Sequence, residues 1–466
     1  MTKLTFLGAA QTVTGSKHLV ESNGTRVMID AGLFQGLKEL RLRNWQDLPV
    51  PASSLDAIVL THAHLDHCGY LPRLAAQGFR GRVFCTAGTR DLCRIVLPDS
   101  GRLHEEDAAQ ANRHGYSKHA PALPLYTEVD ALRAVSLLQP CGYERPMPIA
   151  KDVEIEFVNA GHLLGSSYVR MRVEGRTILF GGDLGRFGRP VLPDPTMVDS
   201  ADVLLVESTY GDRVHEQDDD GARLEEMVRD TVDRGGKLII PAFAIGRVEE
   251  LIYWLKRLEA AKRIPILPVF LDSPMAAAAL AQYSARVQEL DPELRPDPRL
   301  GRERDVCVFC TERFRVVASP EESKQVTASS RPAIVISSSG MAEGGRVVHH
   351  LKAALPDARN TVLFVGYQAA GSRGRRLVDG EKQVKMHGEW VPVAARIARL
   401  DSMSAHADAN EIMRWLHGFT RPPAYTFIVH GEPPAQSALA SRITAELGWR
   451  SSAPAYRESQ ILQFPS

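Results

Sequence analysis

The stretch Thr61-His62-Ala63-His64-Leu65-Asp66-His67 decides how this chain reads, because it sets four potential metal ligands within six residues. It follows the apolar run Ala57-Ile58-Val59-Leu60, which reads as a buried strand. Three imidazoles and a carboxylate at the mouth of a strand would repel one another, or stay unsatisfied, once desolvated. A divalent cation removes that conflict, and imidazole with carboxylate suits Zn²⁺ or Mn²⁺. The competing reading is a solvated histidine-rich loop. The spacing argues for two ions, since residues near the strand end can face one metal while Asp66 and His67 face another.

More ligands are then required downstream, and three segments offer them. Asn159-Ala160-Gly161-His162 follows the alternating run Val153 to Val158, and Gly181-Gly182-Asp183 follows Thr177-Ile178-Leu179-Phe180. Phe427-Ile428-Val429 leads into His430-Gly431-Glu432. Each repeats one grammar: a strand, then a polar ligand at its C-terminal end, with glycine permitting close backbone approach.

With these residues in view the chain resembles the metallo-β-lactamase superfamily and, within it, the β-CASP nucleases, over nearly its whole length. The resemblance implies a metallo-β-lactamase αββα sandwich with an inserted α/β β-CASP domain of parallel-sheet type. It places His62, His64 and His162 on one metal and Asp66, His67 and His430 on the other, with Asp183 bridging. Asp30, in Met28-Ile29-Asp30-Ala31-Gly32, matches a family aspartate that orients a ligating histidine. Glu207, in Leu204-Leu205-Val206-Glu207-Ser208-Thr209-Tyr210-Gly211, looks like the first β-CASP motif, and His406, in Ser404-Ala405-His406-Ala407-Asp408, like the second. His430 looks like the third, where histidine is similar to the RNA-processing branch and valine would resemble the DNA-processing branch.

Composition sets the outer bounds. A chain of 466 residues is too long for one ordinary core. Its 44% hydrophobic and 24% charged residues describe a soluble globular protein. No run approaches a membrane span and the start lacks a signal peptide's apolar core, so a cytoplasmic location is expected. Six cysteines fit a reducing compartment, and the lone Cys307-Val308-Phe309-Cys310 reads as packing. Lysine plus arginine balances aspartate plus glutamate, 56 against 56, which argues mildly against a nucleic-acid binder. Local segregation answers this: Gly371-Ser372-Arg373-Gly374-Arg375-Arg376, with Lys382 and Lys385, is basic, while Glu216-Gln217-Asp218-Asp219-Asp220 is acidic.

Up to about residue 205 short strands alternate with helices; beyond it, longer helix–strand units begin. Ala222–Val232 and Val248–Leu258 read as helices, and Lys237–Pro241, Pro268–Leu271, Ala333–Ile336 and Val362–Val365 as strands, an alternation that argues for a parallel sheet. His406 and His430 lie beyond that block, so an insertion is the simplest topology: residues 1–205 and 391–466 as the metallo-β-lactamase domain, 206–390 as the β-CASP domain. Asp291–Arg304 reads as the most mobile excursion.

Two glycine-rich segments after strands resemble β-CASP phosphate grips. One is Ser337-Ser338-Ser339-Gly340-Met341, before a helix expected from Gly345 to Ala354. The other is the loop Gly366 to Arg375, in which Gly371, Arg373 and Arg375 are the candidate phosphate ligands; no Gly-Lys-Ser/Thr follows, so it is no P-loop. Nine further histidines, among them His18, His349, His350 and His387, lack the strand-then-ligand pattern and read as ordinary.

The resemblance therefore implies a dinuclear metal-dependent endoribonuclease, with 5′-exonuclease activity open, acting on single-stranded RNA in processing or decay. A metal-bridging hydroxide attacks phosphorus. His406, oriented by Glu207, protonates the leaving oxygen, and Asp66 joins them as a catalytic candidate as well as a ligand. Products carry 5′-phosphate and 3′-hydroxyl ends. The cofactors are two divalent ions, Zn²⁺ first and Mn²⁺ second; a homodimer is left open. The chain most resembles the compact bacterial β-CASP ribonucleases, similar to the mRNA 3′-end processing endonuclease subunit. The alternatives are a DNA-repair nuclease on the same scaffold and a non-catalytic RNA-binding subunit.

Overall fold

The computed structural model describes the chain apart from residues 116–118, 217–219, 295–308, 367, 369, 370 and 464–466 and the side chain of Asp401. Part of the acidic run, most of the 291–304 excursion, Cys307 with Val308, and Tyr367, Ala369 and Ala370 of the second glycine-rich segment therefore lie outside the described residues. Cys310 is disulfide-bonded. This corrects the reading of Cys310 as packing.

The described residues fall into two units. The first comprises Met1–Gly188, Asp194–Val214 and His406–Ser466, the second Arg189–Pro193 and His215–Ala405.

Two seven-stranded sheets form the first unit. One runs Ser459–Leu462, Thr2–Phe6, His18–Ser22, Thr25–Ile29, Ala57–Val59, Arg82–Thr86, Leu138–Cys141. The other runs Ser451–Ser452, Tyr425–Val429, Val203–Glu207, Arg176–Phe180, Ser167–Val173, Val153–Asn159, Met147–Ala150. Strand alternation explains why they stack. Leu4, Phe6, Val27, Ile29 and Val59 of one sheet share a buried core with Ile155, Phe157, Val169, Phe180 and Phe427 of the other. The next residues along the same strands, Val158, Tyr168, Leu204 and Ile428, point the opposite way. They pack under Ile412, Met413 and Trp415 of the helix Ala409–Leu416 and Leu439 of Pro433–Arg442. Helices on the outside of two stacked sheets make the αββα sandwich.

Three of the strands that precede candidate ligands run parallel to a neighbour: Ala57–Val59 with Thr25–Ile29, and Arg176–Phe180 and Tyr425–Val429 each with Val203–Glu207, whereas Val153–Asn159, before His162, is antiparallel to both of its neighbours. Parallel pairing brings the C-terminal ends of those three to one edge of each sheet, where the following loops meet.

The second unit holds a six-stranded sheet in the order Phe314–Val316, Val269–Leu271, Ala333–Ser337, Lys237–Pro241, Thr361–Val365, Arg396–Leu400. Every pairing in it is parallel. Ile239, Val335, Val362 and Phe364 pack under Val347, Leu351 and Leu377 of the helices Arg346–Ala354 and Arg373–Val378. The arginine-rich stretch expected as a loop is thus a helix from Arg373 onward. Ser372 caps it by accepting from the Arg375 N–H, and Leu377 anchors it in the core. Among the described residues no helix is long and apolar enough to cross a membrane.

Candidate metal centre

The strand Ala57–Val59 delivers Thr61 and His62 to the edge of the sheet, and a one-turn helix, Leu65–Cys68, carries Asp66 and His67. Backbone crowding holds that turn in place. A Cβ on Gly32 would lie 1.6 Å from the Asp66 carbonyl oxygen, and one on Gly185 would lie 2.1 Å from that of Gly161. Leu33 N–H donates to Leu65 O at 2.8 Å and Ser16 N–H to Asp66 O at 2.8 Å. The structure brings all seven candidate ligands together in the first unit.

Four of them converge first. His64 Nδ1 lies 3.1 Å from His62 Nε2 and 3.2 Å from His162 Nε2. Asp183 Oδ2 lies 3.3 Å from His62 Nε2 and 3.5 Å from His162 Nε2. A tetrahedral ion held at its usual bond lengths spaces its ligand atoms about 3.3–3.4 Å apart, so these four atoms have the edge lengths of such a site. The second group is built on the other oxygen of Asp183. Oδ1 lies 3.2 Å from His67 Nε2, which is 3.1 Å from His430 Nε2; Asp66 Oδ2 is 3.5 Å from the latter. Asp183 Oδ1 is buried and has no hydrogen-bond partner. A buried carboxylate oxygen left in that state is costly unless a cation meets it.

Electrostatics fits the same purpose in the first group, while against burial the Asp183 and Asp30 carboxylates hold His67 above its ordinary range. Burial pushes the His64 imidazole down to about 3 and holds His62 and His162 below their ordinary range. Neutral rings are what a metal binds. Burial opposes ionisation of Asp183, but the surrounding histidines, His430 and His67 foremost, keep it well below the usual carboxylate range.

Around the ligands stands a set of hydrogen bonds that fix which ring nitrogen faces inward. Asp30, buried and at φ +60°, takes His67 Nδ1 at 2.7 Å and the Thr61 N–H at 2.8 Å. Sequence reading nominated Asp30 for this kind of role but missed two threonines. Thr61 Oγ1 donates to Asp30 at 3.0 Å and lies 3.0 Å from His62 Nδ1. Thr209 Oγ1 donates to Glu207 Oε2 and lies 3.0 Å from His430 Nδ1. A hydroxyl donates once and can still accept, so each threonine can take an Nδ1–H of a histidine, the tautomer in which Nε2 is open to a metal. The signal available in the sequence was position: Thr61 precedes His62, and Thr209 stands two residues after Glu207.

A test follows directly. Thr209→Val keeps the shape and removes the hydroxyl, and should weaken metal binding by about 10–100-fold. Thr209→Ser should restore it. Competition against a chromogenic chelator reads the affinity; an unchanged value in Thr209→Val would remove this role.

His406 sits beside the cluster and outside both ligand groups. Its Nδ1 is 3.1 Å from Glu207 Oε2 and 3.2 Å from Oε1, and 3.8 Å from Asp183 Oδ2. Glu207 is buried, with Oε1 accepting the Leu184 N–H at 2.6 Å. The His406 segment pairs with Gly185, and Ala407 N–H donates to Leu184 O at 2.8 Å. Asp408 then caps the next helix in a reciprocal box with Glu411. Backbone pairing on one side and a cap on the other leave the imidazole little freedom.

The candidate phosphate ligands all belong to the second unit. Ser337 is fully buried, its hydroxyl donating to Asp272 O at 2.8 Å, and Ser338 donates to Ser273 Oγ at 3.0 Å. Ser339 and Gly340 continue this loop, and Gly371 (φ +81°) precedes the capping Ser372. Arg373 spends its guanidinium on the carbonyls of Ala342 and Lys385, while exposed Arg375 pairs with Asp379 one turn on at 2.9 Å. His350, read as ordinary, is a buried member of a network: Nε2 is 2.7 Å from Asp272, which also accepts from Arg346 at 2.7 Å.

Comparison with known proteins matches this architecture. Residues 25–266 match the profile of the beta-lactamase superfamily domain, 248–377 that of the Beta-Casp domain, and 390–454 that of a Zn-dependent metallo-hydrolase RNA specificity domain. A ribonuclease of Thermus thermophilus is 37% identical over 433 residues, covering 93% of this chain and 94% of that protein. The transcription termination factor FttA of Methanocaldococcus jannaschii is 31% identical over 442 residues, covering 92% of this chain and 67% of that longer protein. A crystal structure of a protein of unknown function from Enterococcus faecalis shares the fold, at TM-score 0.53 and 13% identity over 99% of this chain and 100% of that one.

Proposed function

Since this chain belongs to the metallo-β-lactamase superfamily and, within it, to the β-CASP family, we propose that it is a metal-dependent ribonuclease hydrolysing single-stranded RNA in RNA processing or decay. The observation that carries the reading is the shared carboxylate. Asp183 turns Oδ2 to His62 and His162 and Oδ1 to His67, so two ligand groups meet at one side chain. His62, His64 and His162 would hold one ion, Asp66, His67 and His430 the other. Five imidazoles and two carboxylates without a thiolate suit Zn²⁺, with Mn²⁺ the alternative. Such a pair of ions, when bound, supplies an activated water and offsets charge on the phosphoryl oxygens.

The chain's own groups do the rest. Glu207 holds His406 at Nδ1, and His406 would protonate the leaving oxygen. With water as nucleophile the RNA 2′-hydroxyl is not consumed, and cleavage leaves 5′-phosphate and 3′-hydroxyl ends. We take the first unit as the hydrolase scaffold and the second as the inserted domain, with boundaries near 214/215 and 405/406 in place of the expected 205/206 and 390/391, since the strand Arg396–Leu400 pairs within the second sheet. In that domain we assign phosphate contact to the loop Ser338, Ser339 and Gly340, to Gly371 and to Arg375, whose exposed ion pair can exchange for a phosphate. Ser337 and Arg373 support these loops from behind.

Matched RNA and DNA 20-mers of one sequence test the reading. The RNA should be cut, with products that ligate through their 5′-phosphates, and the DNA should survive. Preferential cleavage of the DNA would move the chain to the repair-nuclease reading.

A further inference from the structure

The first unit carries a ridge of aromatic rings interleaved with arginines that no part of the mechanism uses. Trp45 is 48% exposed, and the Arg73 guanidinium stands 5.7 Å from its ring centroid. Half-buried Tyr456 lies between Arg43 at 4.3 Å and Arg457 at 5.4 Å. Phe34 closes the row beneath, 5.8 Å from the Tyr456 ring and 5.5 Å from Arg43. Arg457 donates to the Asp47 carbonyl at 2.9 Å, which ties the Trp45 loop to the Tyr456 loop although some 410 residues separate them.

Two observations give the ridge a partner. The first is charge. Arg26, Arg102, Arg170 and Arg442 of the same unit are each paired with carboxylates. Among the described residues Arg43, Arg73 and Arg457 are not, and neither are Lys38 and Arg41 on the short helix leading to Trp45, which buries none of its residues. Glu39, Asp47 and Glu458 lie nearby, so the surplus is moderate, but the guanidiniums are held against rings instead of acids. The second is continuity with the reaction site. Phe34 follows Leu33, whose N–H donates to Leu65 O, and the Gly32 backbone touches that of Asp66. The Phe34 end of the ridge is thus tied through the backbone to the turn that carries Asp66 and His67.

A half-exposed Trp45 ring beside guanidiniums that meet no carboxylate suits a stacked base flanked by phosphates. We propose that the Trp45–Tyr456 ridge is a subsite for single-stranded RNA, stacking bases that flank the cleaved bond without reading their sequence. This rests on the ribonuclease reading above.

The test uses the metal-loaded full chain, an RNA 20-mer and bis(p-nitrophenyl) phosphate, an ester too small to reach the ridge. Trp45→Ala should raise KM for the RNA by about tenfold, the scale of one lost stacking contact. Its kcat, and hydrolysis of the small ester, should be unchanged, and Trp45→Phe should retain most of the affinity. Arg41→Ala with Arg43→Ala should flatten the salt dependence of KM. RNA cut by wild type with the same KM in every variant overturns the ridge alone. An unchanged KM with an altered oligomeric state also overturns it and gives the surface to a second copy of the chain. RNA left intact by wild type, with the small ester hydrolysed, would instead strike the ribonuclease reading.

Discussion

Replacing Asp183 by alanine is expected to remove both metal ions and to abolish RNA cleavage. The loss should lie well beyond the roughly 10–100-fold that changes to groups around a ligand produce. The reason is geometric. Each oxygen of this carboxylate faces a different histidine group, and Oδ1 has no other partner. Removing it takes an anionic ligand from both sites, leaving the first group of imidazoles at about 3 Å spacing without a carboxylate among them and the second with Asp66 as its only one. Asp183→Asn separates charge from shape: it should preserve the fold by circular dichroism while metal content falls. A variant that retains one ion at full occupancy would show that the carboxylate does not bridge.

The second large effect concerns the proton. His406→Ala should keep its metals and its affinity for RNA, yet cleave about 10²–10⁴-fold more slowly. The ring lies outside both ligand groups and its Nδ1 faces Glu207, so its loss leaves the ligand atoms in place. Glu207→Gln should show a milder loss of the same kind, because it orients the acid without transferring the proton. Metal stoichiometry, RNA affinity and single-turnover rate belong on the same preparations. A His406→Ala protein that loses an ion, or that cleaves at the wild-type rate, would remove the histidine from this role.

The candidate metal centre was legible because its residues come at strand ends. An apolar run followed within a few residues by a histidine or aspartate is a local pattern, and parallel pairing gathers the ends before His62, Asp183 and His430 at one edge of each sheet. Threonine carries no comparable signal. Thr61 and Thr209 matter through hydroxyls shared between an acid and a ring, and that sharing exists only after folding. The arginine-rich segment misled for a related reason. Glycine and arginine at 371–376 suggest a loop, whereas the serine cap at Ser372 and the buried Leu377 commit it to a helix. The seryl run after Ala333–Ser337 read as uniform; burial separates Ser337, which is turned into the protein, from its neighbours. The Trp45–Tyr456 ridge was invisible because its halves lie at opposite ends of the chain.

The most direct test of the central claim is metal content measured by mass spectrometry alongside cleavage of 5′-end-labelled RNA, before chelation, after it, and after metal is restored. Two ions per chain, activity lost on chelation, and recovery that saturates only at the second equivalent of Zn²⁺ or Mn²⁺ are the predicted result. Full cleavage by protein shown to be metal-free, or saturation at a single equivalent, would contradict it.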